Sequence, residues 1–497
     1  MRNWIYAAMV AAVGLYAGAG RPVDAASLML APTQTPIKYL VVIDDENVSF
    51  DHYFATYPVA ANPPSEPRFK ALPNTPSLNG IGGLIATQNL NLVNPFRLDR
   101  SQAFTCDNTN FYMNEQQAYH GGLLDMFVQF TSPINPTDCP TIDNLPMGYY
   151  DGNTVTALWN YAQYYAMSDN SFETTFGVTV VGHLNLVAGE THGAIPSSVP
   201  GKVVDGTVIK NVEAGYDDCD IRTNVQMSGP NIGDLLTSKK VTWGWFYGDF
   251  GSINAGDGPE CNPRYNSHYM PFQYYASTAN PHHLPPSSPF AIGSNADQAN
   301  HQYDLSNFWT AVSLGYMPQV TFLKASSDST GHPFTSGPLA EQTFLVNTIN
   351  RLQRTPQWKN MAIIITYDDS DGWYDHVMPP IVNQSSDPGQ DRLLGPTGLC
   401  GEAAANAYQD RCGYGPRLPL IVISPWARSN YVDHTLTDQT SVLRFIEDNW
   451  NLGRLGDPQS FDLKANSLTG MFNFSFPLAP RLRLDPDTGL IVGDRPW

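Results

Sequence analysis

Two apolar runs in this sequence end abruptly in clusters of acidic and amide side chains. Residues 39–43 precede the polar stretch 44–47 (Asp, Asp, Glu, Asn), and residues 361–367 precede 368–371 (Asp, Asp, Ser, Asp). Short apolar runs bounded by polar clusters are typical of buried strands. Because ligands of open α/β sheets bind at the carboxyl ends of parallel strands, we expect the two clusters to meet at one edge of a sheet.

Helical and strand-like patterns alternate along most of the chain. The predicted helices cover 154–162, 232–240, 339–352 and 438–450, and further predicted strands cover 164–168, 241–246, 320–323 and 418–423. Such alternation favours an α/β fold, with a mainly parallel central sheet and helices on both faces. We expect one domain over residues 26–497.

Four long segments rich in Pro, Gly, Ser and Asn interrupt this alternation. They lie near 59–110, 195–230, 250–305 and 380–416. Long segments without periodicity are unusual in a compact domain unless they cap or line a functional site. We therefore expect lid-like insertions that cap the active site.

The first 25 residues have the features of a secretory signal peptide. Arg2 provides a cationic start, residues 4–17 are apolar, and Val23-Asp24-Ala25 resembles a cleavage site. An uncleaved membrane anchor is the alternative, and no later segment is long and apolar enough to span a bilayer. The sequence predicts a periplasmic or secreted protein.

Six cysteines in an exported chain should be mostly paired. Their order suggests pairing between nearest neighbours: Cys106 with Cys139, Cys219 with Cys261, and Cys400 with Cys412. There is no C-x-x-C spacing, so the sequence supports neither a thiolate zinc site nor a redox motif.

The amino-acid composition and net charge indicate which kinds of molecule this protein could bind. The 497 residues are 42% hydrophobic, which is ample for a large core, and 27 basic against 46 acidic residues give a net charge of −19. That balance argues against nucleic-acid binding through phosphate contacts. The charged fraction of only 15% suits a protein that works in acid, or simply a secreted enzyme with a low pI.

Four oxygen-bearing side chains at the two predicted strand ends could hold a metal ion: Glu46, Asn47, Asp368 and Asp369. Manganese, magnesium and calcium all bind such oxygens. Taken singly, each side chain could instead cap a helix or form a turn. The paired positions at strand ends favour the metal site.

Thr179 is the candidate nucleophile. It lies where a Gly-containing turn passes into a helical pattern, and the start of a helix favours an anion such as a phosphoryl group. A hydroxyl beside a divalent cation there would lose its proton more easily. Thr174 and Thr175 satisfy the same reasoning, and Thr179 could be only a helix cap.

His332 is the candidate general acid, because it lies in a polar loop after the strand predicted at 320–323. His268, His282 and His283 lie in a Pro-rich segment and could contact substrate phosphate or simply be exposed. His376 could bind a second metal ion or form a hydrogen bond within its turn.

Four motifs resemble the bacterial acid phosphatase/phospholipase C family of the alkaline phosphatase-like superfamily. They are residues 46–54 (ENVSFDHYF), 176–179 (FGVT), 366–376 (TYDDSDGWYDH) and 412–419 (CGYGPRLP). The resemblance extends from about residue 38 to 455 and implies an alkaline phosphatase-like fold.

The resemblance also implies site residues. It implies one divalent ion (calcium, magnesium, manganese or zinc) held by Glu46, Asn47, Asp368, Asp369 and the nucleophile Thr179. His332 matches the family's active-site histidine, 36 residues before Asp368 (368 − 332). Two substrate-binding positions depart from the pattern: Asn110 stands where the family often has a histidine, and His268 matches another histidine only approximately.

These features together predict an exported acid phosphatase that hydrolyses a phosphate ester through a covalent phosphothreonine. A phospholipase C acting on phosphodiesters of lipid head groups is the alternative, and the chain end at Trp497, without further carboxy-terminal domains, favours the monoesterase. A sulfatase is disfavoured, because no C-x-P-x-R or S-x-P-x-R motif is present. A non-catalytic, secreted, metal-stabilised binding protein is the alternative from another class.

Overall fold

An eight-stranded sheet lies at the centre of the part of the chain that the structure describes. The computed structural model describes residues 30–133, 137–220, 222–251, 261–393 and 400–492, so the predicted signal peptide lies outside the described residues. In chain order the strands are β1 (Tyr39–Asp45), β2 (Ala166–Ser168), β3 (Trp243–Tyr247), β4 (Gln302–Asp304), β5 (Val320–Lys324), β6 (Met361–Tyr367), β7 (Leu420–Ile423) and β8 (Tyr431–Asp433).

The strand order across the sheet is β4-β3-β5-β1-β6-β7-β2-β8. Neighbouring strands are parallel except at β7, which is antiparallel to both β6 and β2. The predicted mainly parallel sheet is confirmed, and β7 is the exception within it.

The two central strands are buried on both faces. Every residue of β6 is buried, and in β1 only Tyr39 is partly exposed. Because successive side chains of a strand point to opposite faces, burial of every position means that both faces of the sheet are covered. This explains why the apolar residues of the two strands form continuous runs rather than alternating patterns.

Ten α-helices occur among the described residues: α1 (Phe50–Phe54), α2 (Gly83–Thr87), α3 (Tyr112–Tyr119), α4 (Phe127–Thr131), α5 (Thr156–Tyr164), α6 (Thr179–Ala188), α7 (Ile232–Ser238), α8 (Leu305–Leu314), α9 (Pro338–Leu352) and α10 (Thr440–Trp450). The four helices predicted from periodicity correspond to α5, α7, α9 and α10, with ends within two residues of those predicted. Among the described residues, none of these helices has the length and apolarity that crossing a bilayer requires.

The segments predicted to be insertions contain short elements of their own. Within the second insertion and at its border, strands Ala194–Ile195, Asn224–Met227 and Glu213–Ala214 form a three-stranded sheet. Short strands of two residues carry too little pattern to be recognised in a sequence. All three predicted disulfides are confirmed: Cys106–Cys139, Cys219–Cys261 and Cys400–Cys412.

Candidate active site

The ends of β1 and β6 bring the two polar clusters together. The strands are neighbours in parallel register, with Asp44 opposite Thr366 and Asp45 opposite Tyr367. The residues that follow, Glu46-Asn47 and Asp368-Asp369, therefore leave the sheet at the same level. The amide of Asn47 donates to Asp368 Oδ1 at 3.2 Å, which joins the two clusters directly.

Helix α6 carries the predicted nucleophile into this edge of the sheet. Gly182 permits its approach, because a Cβ atom there would lie 2.0 Å from the carbonyl oxygen of Asp368. One turn earlier, Thr179 is the first residue of the helix, and its hydroxyl donates to Asp369 Oδ2 at 3.3 Å. The helix start is also capped from the second insertion, since the amide of Val180 donates to Asn211 Oδ1 at 3.0 Å.

A cavity of about 480 Å³ opens over Thr179. Four predicted site residues line it: Asn47, Asn110, Thr179 and His332. The other lining residues are Asp107, Asn108, Thr109, Phe111, Asp138, Val178, Asn211 and Phe334. The cavity therefore combines a hydroxyl, a histidine and several amide and carboxyl groups around one opening.

Apart from Glu46 Oε1, which is paired with Lys324, three oxygens in the predicted ligand set have no hydrogen-bond partner among the described residues. They are Glu46 Oε2, Asn47 Oδ1 and Asp368 Oδ2, and each belongs to a side chain that is at least 99% buried. Buried polar atoms are almost always paired, so unpaired oxygens grouped in this way fit a cation. Their chemistry matches hard divalent ions.

The electrostatics of these carboxyl groups also fit a cation. Burial raises the pKa of Glu46 well above its ordinary value, and the negative charge of Asp368 raises it further. Burial and the same neighbour raise the pKa of Asp369. Both effects arise because buried anions lack compensation, and a divalent cation between the oxygens would reverse them.

Lys324, which sequence analysis missed, is buried beneath this group of carboxylates. Its ammonium group lies 3.4 Å from Asp44 Oδ2 and forms an ion pair with Glu46 Oε1. Burial alone would lower the pKa of Lys324, but the two carboxylates outweigh burial and raise it above its ordinary value. Lys324 thus supplies one fixed positive charge behind the candidate ligands.

His183 was also missed, although it lies four residues after Thr179 on the same face of α6. A nitrogen of this ring lies within 4.8 Å of ligand atoms of Glu46 and Asp368. Nδ1 donates to the backbone carbonyl of His268 at 2.7 Å, and Nε2 lies 2.7 Å from Asp44 Oδ2. Since both nitrogens have protein partners, His183 fits a structural hydrogen-bonding role better than that of a metal ligand.

His332 reaches the cavity from the loop after β5. The loop is attached to the metal-ligand cluster, because the amide of Glu46 donates to the carbonyl of Thr330 at 3.1 Å. Nδ1 of His332 lies 2.5 Å from the carbonyl of Pro333 and therefore carries a proton. The other nitrogen, Nε2, is left to exchange a proton with a group in the cavity.

The two predicted substrate-binding residues differ in their placement. Asn110 lines the cavity, and its amide donates to Asp369 Oδ1 at 2.9 Å. The ring of His268 instead lies 3.6 Å from Glu213 Oε1, and its backbone carbonyl holds His183. Of this pair, the cavity lining includes only Asn110.

The other candidates from the sequence have protein partners. Thr174 Oγ1 donates to Asp438 at 3.4 Å, and Thr175 Oγ1 accepts from Asn185 at 3.0 Å. Neither is among the residues that line the cavity, whereas Thr179 is. His283 is buried against Asp217 at 3.1 Å, and His282 is exposed.

His376 belongs to a separate buried cluster. Its Nδ1 lies 2.5 Å from Asp51 Oδ2. The guanidinium of Arg417 lies 3.2 Å from Asp51 Oδ1 and 2.9 Å from Asp375 Oδ1. Because Arg417 already provides the cation for both carboxylates, the hydrogen-bonding role for His376 fits this geometry better than a second metal ion.

Comparisons with known proteins show which proteins this chain is similar to. The sequence model of the phosphoesterase family matches residues 37–453. A non-hemolytic phospholipase C of Burkholderia pseudomallei is 25% identical, over 92% of this chain and 62% of that protein. A non-hemolytic phospholipase C of Pseudomonas aeruginosa is 24% identical, over 91% of this chain and 59% of that protein. This chain thus spans about three fifths of the length of these two relatives.

A shorter relative and a solved structure are also similar to this chain. Phospholipase C A of Mycobacterium tuberculosis is 24% identical over 89% of this chain and 78% of that protein. A solved alkaline phosphatase superfamily protein of Vibrio parahaemolyticus is 10% identical, with a TM-score of 0.31 over 60% of each chain. A superposition that loose carries no functional argument.

Proposed function

This chain belongs to the phosphoesterase family, and from that premise we propose that it is an exported, metal-dependent phosphoric ester hydrolase that works through a covalent phosphothreonine at Thr179. One observation carries the proposal. The Thr179 hydroxyl lies at the start of a helix, in a cavity, 3.3 Å from the carboxylate of Asp369. Helix starts favour phosphoryl groups, and the carboxylate is placed to receive the hydroxyl proton.

In the first step, Thr179 Oγ1 attacks phosphorus. A bond forms between Oγ1 and phosphorus, the bond from phosphorus to the ester oxygen breaks, and Asp369 Oδ2 takes the hydroxyl proton. His332 Nε2 donates a proton to the departing alcohol. The positive end of the α6 dipole, at Thr179, would favour the negative charge of the phosphoryl group.

In the second step, water replaces Thr179. His332, now without its Nε2 proton, accepts one proton from the attacking water, while the bond between phosphorus and Thr179 breaks. The proton held by Asp369 returns to Oγ1. Free phosphate leaves if the substrate was a monoester, and both groups regain their starting protonation states.

The candidate ligands of the metal ion are Glu46, Asn47, Asp368, Asp369 and Thr179. When bound, a divalent ion would neutralise charge on the phosphoryl group and make the hydroxyl more acidic. Lys324 forms an ion pair with Glu46, and the side-chain amide of Asn110 donates a hydrogen bond to Asp369. The ligand oxygens are thereby oriented before any substrate enters.

Two substrate classes remain candidates. A cavity of about 480 Å³ lined mainly by polar side chains suits a small soluble phosphomonoester, so an acid phosphatase is the first proposal. The relatives named phospholipase C favour a phosphodiester of a lipid head group. Export is supported by the three disulfides, which are typical of oxidising compartments.

Turnover of two chromogenic esters separates these proposals. We expect kcat/KM of the purified protein, with divalent metal supplied, to be higher for an aryl phosphate than for the corresponding aryl phosphocholine diester. The reverse order would favour a phospholipase C. Absence of turnover on both, with each of the four metals, would favour the non-catalytic binding protein.

Replacing His332 by alanine should slow hydrolysis according to the leaving group. Esters of simple alcohols need protonation of the departing oxygen, so their kcat should fall by roughly 10²–10⁴-fold. The kcat for an aryl phosphate, whose leaving group is a stabilised phenolate, should fall much less. The measurement is kcat for a series of esters plotted against the pKa of the leaving alcohol.

The matched control for this series is His282→Ala, because His282 is exposed and its ring contacts Asp218 instead of lining the cavity. It should leave the plot unchanged. An equal loss for all leaving groups in His332→Ala would show that the imidazole binds phosphate instead of protonating the alcohol.

A further inference from the structure

We infer that Glu115, on α3, is a positioning residue that fixes the nucleophile turn against the metal-ligand loop. Its catalytic consequence rests on the function proposed above, whereas its structural role can be measured separately. Sequence analysis gave Glu115 no role.

Glu115 bridges two catalytic segments with its two oxygens. The side chain is 99% buried. Oε2 accepts the amide of Gly177, two residues before Thr179, at 3.1 Å. Oε1 accepts the hydroxyl of Ser370, the residue after Asp369, at 2.5 Å. One carboxylate therefore ties the turn that delivers the nucleophile to the loop that delivers a metal ligand.

The loop at Ser370 is held at several atoms. Its amide donates to Glu173 Oε1 at 2.6 Å, and its hydroxyl accepts the amide of Gly372 at 3.0 Å. Ser370 therefore has little freedom to move when Glu115 holds its hydroxyl. By contrast, among the contacts described, the amide of Gly177 depends on Glu115 alone.

The two oxygens of Glu115 face two donors, and a glutamine could not accept from both. A glutamine would offer one carbonyl oxygen, and its amide NH₂ group would face either the N–H of Gly177 or the hydroxyl of Ser370. The hydroxyl can rotate, but the backbone N–H cannot. In either orientation, one of the two donors, the N–H of Gly177 or the hydroxyl of Ser370, loses its acceptor. A buried donor without an acceptor is costly, so the turn or the loop would have to shift.

Helix α3 also contacts the cavity next to this bridge. Asn110 and Phe111, which precede α3, line the cavity, and Asn110 donates to Asp369 Oδ1 at 2.9 Å. The segment that enters α3 thus contacts the metal-ligand loop at Asp369, and the helix itself contacts it at Ser370. Displacement of α3 would alter the cavity wall and the distance between Thr179 and Asp369 together.

Hydrogen exchange tests the structural role without substrate. In Glu115→Gln, deuterium uptake should rise in the peptides that contain Gly177 and Ser370 and stay unchanged in peptides of β3 and β4. The matched control is Glu447→Gln on α10, which removes a buried carboxylate that is 1% exposed and bonded to Arg454 at 2.9 Å. The inference would be overturned if deuterium uptake in the peptides that contain Gly177 and Ser370 were the same in Glu115→Gln as in this control. This result would count against it whatever reaction the protein catalyses.

Kinetics test the catalytic consequence. Because a misplacement of about 1 Å can cost on the order of 10²-fold in rate, kcat of Glu115→Gln should fall by about that factor, while KM and metal content change little. Ser370→Ala, which removes only one hydroxyl, provides a milder second variant. If the two residues act through one bridge, the double variant should lose no more activity than Glu115→Gln alone.

The two levels of the proposal fail in different ways. An active Thr179→Ala enzyme would refute the phosphothreonine mechanism and leave the exchange result to decide the bridge. A dead Thr179→Ala enzyme combined with unchanged kcat in Glu115→Gln would refute the positioning role alone. Strictly additive losses in Glu115→Gln and Ser370→Ala would also refute a shared bridge.

Discussion

Replacing Thr179 by alanine is expected to reduce kcat by about 10⁶-fold, as when the serine nucleophile of a protease is removed. Thr179→Ser should keep appreciable activity, because the attacking hydroxyl survives. The side chain is 5% exposed and donates to Asp369, so loss of its methyl group alone should not disturb the helix start. Steady-state kcat with an aryl phosphate measures both effects.

Thr175→Ala is the matched control for this experiment. Thr175 is a buried threonine four residues away, and its hydroxyl accepts from Asn185 instead of lining the cavity. The control should retain kcat despite some loss of stability. Rapid acid quenching of the wild type with labelled substrate should trap phosphate on the peptide that contains Thr179. Label on Thr174, Thr175 or a histidine would move the nucleophile, and an active Thr179→Ala enzyme would mean that water attacks directly.

Removing a metal ligand should abolish activity and metal content together. In Asp368→Ala or Glu46→Ala, the candidate ion loses one of its charged oxygens, and kcat should fall by at least about 10²–10³-fold if the ion contributes several kcal/mol to the transition state. Metal per chain, measured by mass spectrometry after gel filtration, should fall from one to below one. Circular dichroism should show a retained fold.

The control for ligand loss is Asp297→Ala. Asp297 is a buried carboxylate that accepts from Ser287 at 2.7 Å and Tyr303 at 2.9 Å, so its removal also strains the structure. It should leave metal content unchanged. Full activity of metal-stripped wild-type protein would contradict the metal-dependent mechanism, and two bound ions per chain would contradict a single-metal site.

Sequence analysis predicted six of the eight strands of the central sheet as apolar runs, and it missed the three-residue strands β4 and β8. A continuous apolar run that ends in a polar cluster, such as residues 361–367, indicates a buried strand and fits few other structures. The adjacency of β1 and β6 was an expectation from the topology of α/β folds, and their register followed from no feature of the sequence. The antiparallel direction of β7 was not foreseen, because buried parallel and antiparallel strands have the same apolar pattern.

The parts of the candidate site that sequence analysis missed are buried polar groups that serve other residues. The predicted strand at 320–323 stopped one residue before Lys324, since an isolated lysine after an apolar run reads as a surface residue. The spacing of four residues between Thr179 and His183 would have placed both side chains on the same face of the predicted helix. Glu115 carries no local signal, because its partners at Gly177 and Ser370 are far away in sequence.

Strands β1 and β6 end at the same level of the sheet, and this limits how such a protein could diversify during evolution. Loss of one residue from either strand would withdraw its ligand pair by about 3.3 Å and turn each side chain to the opposite face. Changes in the length of the second insertion leave this register untouched, although Asn211 within it reaches the start of α6. We therefore expect selection to hold the two strands at constant length while the insertions vary, so that new substrates are acquired by changing the cavity wall around an inherited catalytic centre.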